Sequence, residues 1–123
     1  MRIIDFSPED ESFLHQAAEL LVAGFREHWP SAWPDMDAAL AEVQEALAPG
    51  KVCRVALNEA GAVLGWVGGI RGYGGNVWEL HPLVVRPDRQ RQGIGRALVA
   101  DLEAQARARG GLTLWLAVTT KTT

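Results

Sequence analysis

Cysteine, tyrosine and long apolar runs are what this 123-residue sequence has least of. A single cysteine, Cys53, excludes an intramolecular disulfide and any metal site built on a cysteine cluster, so no metal is expected. Its scarcity suits a reducing, cytoplasmic compartment. No apolar run approaches the ~20 residues that span a bilayer. The opening Met1-Arg2-Ile3-Ile4-Asp5 lacks the apolar core of a signal peptide, and no membrane partner is expected. No Gly-Lys-Ser/Thr marks a P-loop, and the third glycine of a dinucleotide fingerprint is missing, Leu98 standing in its place. Basic residues are not interleaved with aromatics as a nucleic-acid surface requires. Repeats, low-complexity tracts and linkers are also absent. What is present is a chain of one-domain length, 48% hydrophobic, enough for a single core.

Charge is unevenly placed. Residues 1–84 carry twelve Asp/Glu against five Lys/Arg, whereas residues 85–123 carry three against seven, within a net charge of −3. An acidic half beside a basic half suits two ligands of opposite charge; solvated helix faces are the alternative.

The pattern of apolar positions predicts the order β-α-α-β-β-β-α-β. Arg2 to Phe6 reads as a strand. Ser7 caps a first helix with Pro8 at its first position, and Phe13, Ala17, Leu20, Leu21 and Gly24 form its apolar face to about Arg26. A loop rich in tryptophan and proline follows. Asp35 caps a second helix with Leu40, Val43 and Leu47 inward, ended by Pro49-Gly50. Val52–Leu57 and Val63–Ile70 form a hairpin across Asn58-Glu59-Ala60-Gly61, and Gly72 to Gly75 turns into a long strand, Val77–Val85. Gly95 to Arg109 is helical with Ile94, Leu98, Leu102 and Ala106 on one face, Gly110-Gly111 ends it, and Leu112–Val118 is a last strand. A crossover through this helix makes the final pair parallel and the sheet mixed.

The stretch from Trp78 to Arg96 concentrates the chemistry. Gln90-Arg91-Gln92-Gly93-Ile94-Gly95 is a glycine-containing loop between a strand and a helix start. Backbone amides and the helix dipole there favour an anion. Arg86, Arg89, Arg91 and Arg96 suit a phosphate-bearing ligand. Pro82 interrupts an apolar strand and marks a bulge, where splaying frees the backbone of Leu83, Val84 and Val85 for an extended ligand; an edge strand is the alternative. Glu79 and His81 share one face, and a carboxylate there can take a proton from an amine. Trp29 and Trp33, with Glu27, Asp35 and Asp37, suit a polycationic, hydroxylated ligand, unless the tryptophans merely cover the sheet. Cys53 reads as a buried strand residue and His15 as a surface one.

These residues resemble a known family. The element order and the Gln90–Gly95 loop are similar to the GNAT N-acetyltransferases over about residues 2–118. Trp78-Glu79-Leu80-His81-Pro82-Leu83-Val84-Val85 and Trp33-Pro34-Asp35 resemble the aminoglycoside 6′-N-acetyltransferases. The resemblance implies an α+β sandwich with a mostly antiparallel central sheet between helices. It implies acetyl-CoA as donor, its pyrophosphate on the amides of Gln90, Arg91, Gln92, Gly93, Ile94 and Gly95 beside Arg96, and its pantetheine arm paired with Leu83, Val84 and Val85. The Leu83 N–H would polarise the thioester carbonyl, and Glu79 with His81 would help deprotonate the amine. Trp29, Trp33, Asp35 and Glu79 would hold a small cationic amine, and no covalent enzyme intermediate is needed.

Two departures stand out. The family usually supplies a late tyrosine to protonate the leaving thiolate, and here Tyr73 is the one tyrosine and precedes the motif strand. The family also continues past the last strand with a glycine, an acidic run, a helix and two strands, whereas this sequence closes on Ala117-Val118-Thr119-Thr120-Lys121-Thr122-Thr123. With suitable codons, a reading-frame shift of one nucleotide after Leu116 turns an acidic Gly-Gly-Asp-Asp-Glu-Asp-Asn run into this tail. The expectation is a domain shortened at its C-terminus, with impaired activity, and a bare strand edge that drives a homodimer or intertwined oligomer. Competing readings are acetylation of a polyamine or protein N-terminus, and an acetyl-CoA-binding module with little turnover.

Overall fold

The computed structural model describes residues 1–25, 35–48, 51–72, 77–110 and 113–116. Within them the chain runs β1 (Arg2–Asp5), α1 (Glu11–Phe25), α2 (Met36–Ala46), β2 (Lys51–Leu57), β3 (Val63–Gly72), β4 (Val77–Val85), α3 (Ile94–Ala108) and β5 (Thr113–Leu116). The strands form one five-stranded sheet in the order β1-β2-β3-β4-β5. Neighbours pair antiparallel except β4 with β5, which the α3 crossover makes parallel, as the pattern predicts.

Two apolar clusters sandwich the sheet. On one face Ala17, Ala18, Leu20 and Leu21 of α1, with Ala39, Val43 and Ala46 of α2, pack on Cys53, Val55, Leu57, Trp66 and Val84. On the other, Ile94, Leu98, Leu102 and Ala106 of α3 pack on Val52, Ala56, Leu64, Val67, Trp78 and Leu80. This second set is the i, i+4 ladder read from the sequence. β2 feeds both clusters, which is why Val52–Leu57 is almost continuously apolar instead of alternating. Trp66 is fully buried under α1; its indole N–H donates to the Ala17 carbonyl at 3.2 Å, and Phe6 meets its ring edge-on at 5.8 Å.

The first helix departs from expectation at its start. It begins at Glu11, not Pro8, because Asp10 caps it: Asp10 Oδ1 accepts from the Phe13 N–H at 3.1 Å and its carbonyl from Leu14 at 3.0 Å. Ser7 instead closes a turn, accepting from the Glu9 N–H at 3.3 Å. Asp35 caps α2 as predicted, accepting from Ala38 at 2.9 Å. The inward residues of α2 are Ala39, Val43 and Ala46, with Leu40 and Leu47 only partly buried beside them. Arg54 fastens β1, β2 and α3 together, its guanidinium donating to Asp5 Oδ1 and Asp101 Oδ1 at 2.6 Å each.

Trp29, Trp33, Glu27, Pro49-Gly50, Tyr73, Gly111 and the tail from Ala117 lie outside the described residues. No helix among the described residues is long and apolar enough to cross a membrane.

Candidate active site

The bulge expected at Pro82 is present, and β4 is an inner strand, which removes the edge-strand alternative. Val67 pairs with Leu83 and Gly69 with Leu80, so His81 and Pro82 together oppose the single residue Gly68. The His81–Pro82 peptide is cis. The bulge bears tightly on β3: a Cβ at Gly68 would lie 2.6 Å from the His81 carbonyl oxygen, so only glycine fits there.

β5 pairs with β4 only from Val77 to Leu80 among the described residues. On the β3 side, the Arg86 N–H donates to the Leu64 carbonyl at 2.8 Å, which fixes the alternation of the ladder. Val84, two residues back and opposite Trp66, therefore turns its backbone groups to β3, and Leu83 and Val85 turn theirs to the β5 side. Of the three residues expected to offer backbone to a ligand, Leu83 and Val85 thus turn theirs away from β3, and Val84 does not.

That edge runs into the start of α3. A cleft of about 470 Å³ is lined by Val85, Arg89, Gln90, Arg91, Gly93 and the first turn of α3 through Arg96. Arg91 at φ 68° and Gly93 at φ 83° are both left-handed, the conformation that turns successive amides into an anion-binding concavity. α2 starts with an aspartate cap, as does α1. α3 starts on Gly93 with no side-chain cap and no acid in its first turn, leaving its amides for a ligand. Arg91 and Arg96 are exposed beside it. Arg86 is not part of this cluster: it forms a two-pronged ion pair with Asp88 at 3.0 and 2.8 Å and lies toward α1.

Glu79 and His81 leave β4 on the α1/α2 side, opposite Trp78 and Leu80, which pack under α3. His81 Nε2 lies 3.3 Å from Glu42 Oε1 of α2, a contact that sequence reading missed. Hydrogen bonding to Glu42 raises the His81 pKa against the opposing effect of burial, with the charges of Glu42 and then Glu79 adding to it. The same hydrogen bond lowers the Glu42 pKa. A shift in that direction favours the protonated imidazole in the pair with Glu42. Cys53 is buried between strand and helices, and burial pushes its thiol up to about 12, far from a thiolate at neutral pH. Asp35 stands at the exposed start of α2. Among the described residues no His/Cys/Asp/Glu cluster suits a metal ion.

The acetyltransferase (GNAT) family model matches residues 14–123. The chain belongs to the GNAT acetyltransferase family. No curated protein matches at the level of sequence. Among solved structures this GNAT chain is 34% identical to an aminoglycoside 6′-N-acetyltransferase complexed with coenzyme A, with a TM-score of 0.82 over 94% of this chain and 61% of that one. An aminoglycoside 6′-acetyltransferase of type Ii gives 34% identity and a TM-score of 0.81, covering 94% of this chain and 70% of that one. The aminoglycoside 6′-N-acetyltransferase from Enterococcus faecium gives 34% and 0.79, at 94% and 61%. This GNAT chain therefore spans about three-fifths of the length of two of these structures, and its fold is theirs over that span.

Proposed function

We propose that the protein transfers an acetyl group from acetyl-CoA to a primary amine, the 6′-amine of an aminoglycoside. One observation carries the donor half of this reading: the backbone groups of Leu83 and Val85, turned away from β3, lead directly into a cleft at the uncapped, arginine-flanked start of α3. The residues fit a nucleotide thioester. The Gln90–Gly95 loop and the α3 amides would bind its diphosphate, Arg91 and Arg96 would supply counter-charge, and an extended arm would add to the β4 edge as a strand does.

Chemically, the acetyl carbonyl would accept from the Leu83 N–H. That donor stabilises the negative charge that grows on oxygen as the amine attacks; one such donor is typically worth about 3 kcal/mol. Glu79, half-buried on the same strand, would take the proton released by the amine, directly or through water. The nitrogen–carbon bond forms as the carbon–sulfur bond breaks, and no protein nucleophile is needed; the deeply protonated Cys53 supports that reading. On the acceptor side, Asp35 and Glu79, with Trp29 and Trp33 of the loop before α2, suit a compact polycation. The similarity to aminoglycoside 6′-N-acetyltransferases supports the choice of acceptor. A homodimer belongs to the same proposal, since β5 lies at the sheet edge among the described residues.

Incubation with acetyl-CoA and kanamycin-type aminoglycosides tests it. Mono-acetylated product with matching thiol release supports the proposal. Product only from a polyamine or a peptide N-terminus would replace the acceptor, and acetyl-CoA binding with no product from any amine would leave a donor-binding module.

A further inference from the structure

We propose that Glu42 is a positioning residue for the acceptor: its pair with His81 ties α2, and the Asp35 that begins it, to the β4 bulge beside Glu79. This rests on the acetyl-transfer reading above. α2 buries Ala39, Val43 and Ala46 in the α1-side core, two of them alanines, with Met36, Leu40 and Leu47 partly buried at the margin of that contact. Polar contacts add direction to that packing. Lys51 of β2 reaches the Glu45 carbonyl at 3.1 Å at one end, and Glu42 meets His81 at 3.3 Å further in. The Glu42 side chain is only 22% exposed, and a carboxylate so placed is tolerated when it is paired.

The bulge explains why His81 is available. Two residues opposite Gly68 re-aim this part of β4, and a narrow cleft of about 180 Å³ opens between His81, Gly69 and Ile70 of the sheet and Glu42, Glu45 and Lys51 around it. The charged groups facing His81 are Glu42 and Glu45 from α2, Lys51 from β2 and Glu79 from its own strand. With acids on two elements and one lysine opposing, the surroundings favour the protonated imidazole in the pair that bridges α2 and β4.

The consequence is geometric. On that reading the acceptor contacts both Asp35 at the start of α2 and Glu79 on β4, so the docking of α2 sets the span between them. The donor cleft begins at Val85 and is built by α3, away from this bridge. Breaking the bridge should therefore weaken use of the acceptor and spare the donor.

Steady-state kinetics on Glu42→Gln, Glu42→Asp, His81→Asn and the Glu42→Gln/His81→Asn pair tests this, with an aminoglycoside acceptor. Misplacing a reacting group costs up to about a hundredfold, and for this partly exposed pair roughly tenfold is expected in acceptor kcat/KM, with the acetyl-CoA KM within about twofold of wild type. Glu42→Asp recovers part of the loss, and the double variant is no worse than the weaker single one. The ratio of wild-type to Glu42→Gln kcat/KM for the acceptor falls toward one as pH rises and His81 loses its proton. Independently of turnover, an NMR titration of the His81 imidazole has a lower midpoint in Glu42→Gln. Unchanged acceptor kinetics, additive losses in the double variant, or an equal rise in both KM values would overturn the proposal. A wild-type protein that acetylates no amine would instead overturn the functional reading, and this role with it.

Discussion

Placing a methyl group at Gly68 tests whether the β4 bulge is as tightly held as the geometry demands. In Gly68→Ala the new Cβ would sit 2.6 Å from the His81 carbonyl oxygen and 3.4 Å from Pro82 Cδ. Ordinary contacts begin near 3.4 Å, so the oxygen must move by about 0.8 Å. The obstacle is backbone on an inner strand, not the far end of a flexible side chain. Overpacking a rigid site costs about 1–3 kcal/mol, and the upper end applies because both flanking strands are already paired. For a domain of this size, ~3 kcal/mol corresponds to a Tm lower by roughly 10 °C. Gly61→Ala is the control: its φ of +84° carries a conformational cost, but nothing lies within 4 Å of the new Cβ, so its loss should be nearer ~1 kcal/mol. Urea unfolding followed by circular dichroism gives both numbers. A Gly68→Ala protein as stable as Gly61→Ala would show that β3 and β4 yield freely at the bulge and refute the argument.

Other expectations follow from named contacts. Arg54→Met removes the ion pairs to Asp5 and Asp101 and leaves the largely buried Asp101 unpaired, so about 2–3 kcal/mol should be lost by denaturant titration. The Glu42–His81 pair contributes stability over a bounded pH range. Its histidine, with a raised pKa, contributes fully below the ordinary value of 6.5 and loses this as pH rises through the folded value; its glutamate, with a lowered pKa, contributes above 4.5 and loses this as pH falls through the folded value. The stability gap between wild type and Glu42→Gln should thus peak between 4.5 and 6.5, at no more than ~1 kcal/mol given partial exposure, and shrink on both sides. Cys53 should resist thiol reagents in the folded protein and react on unfolding, and Cys53→Ala should retain acetyl transfer, measured by thiol release.

Much of the architecture is legible in local pattern. The Ile94-Leu98-Leu102-Ala106 ladder is strictly periodic and buries as a unit, and Val77–Val85 is bounded by turn residues on one side and Arg86-Pro87 on the other. The start of α1 is less legible because Ser7 and Asp10 both cap well, and which one does so depends on how the helix docks Phe13 against Phe6. Arg86 reads as a phosphate ligand by sequence proximity, yet Asp88 two residues on captures its guanidinium. Glu42 escaped notice as a lone acid in a polar helix. Its spacing held a signal: it lies three residues after Ala39 and four before Ala46, on the buried stripe, where an acid needs a partner. That partner comes from β4, far away in sequence, and the bulge that presents it is a property of strand pairing.

The most direct measurement compares two aminoglycosides alike except at the 6′ position, one with an amine and one with a hydroxyl, each incubated with acetyl-CoA and resolved by mass spectrometry. The account predicts one acetyl group on the 6′-amino compound and none on its hydroxyl counterpart. Equal acetylation of both, or of neither, would contradict it.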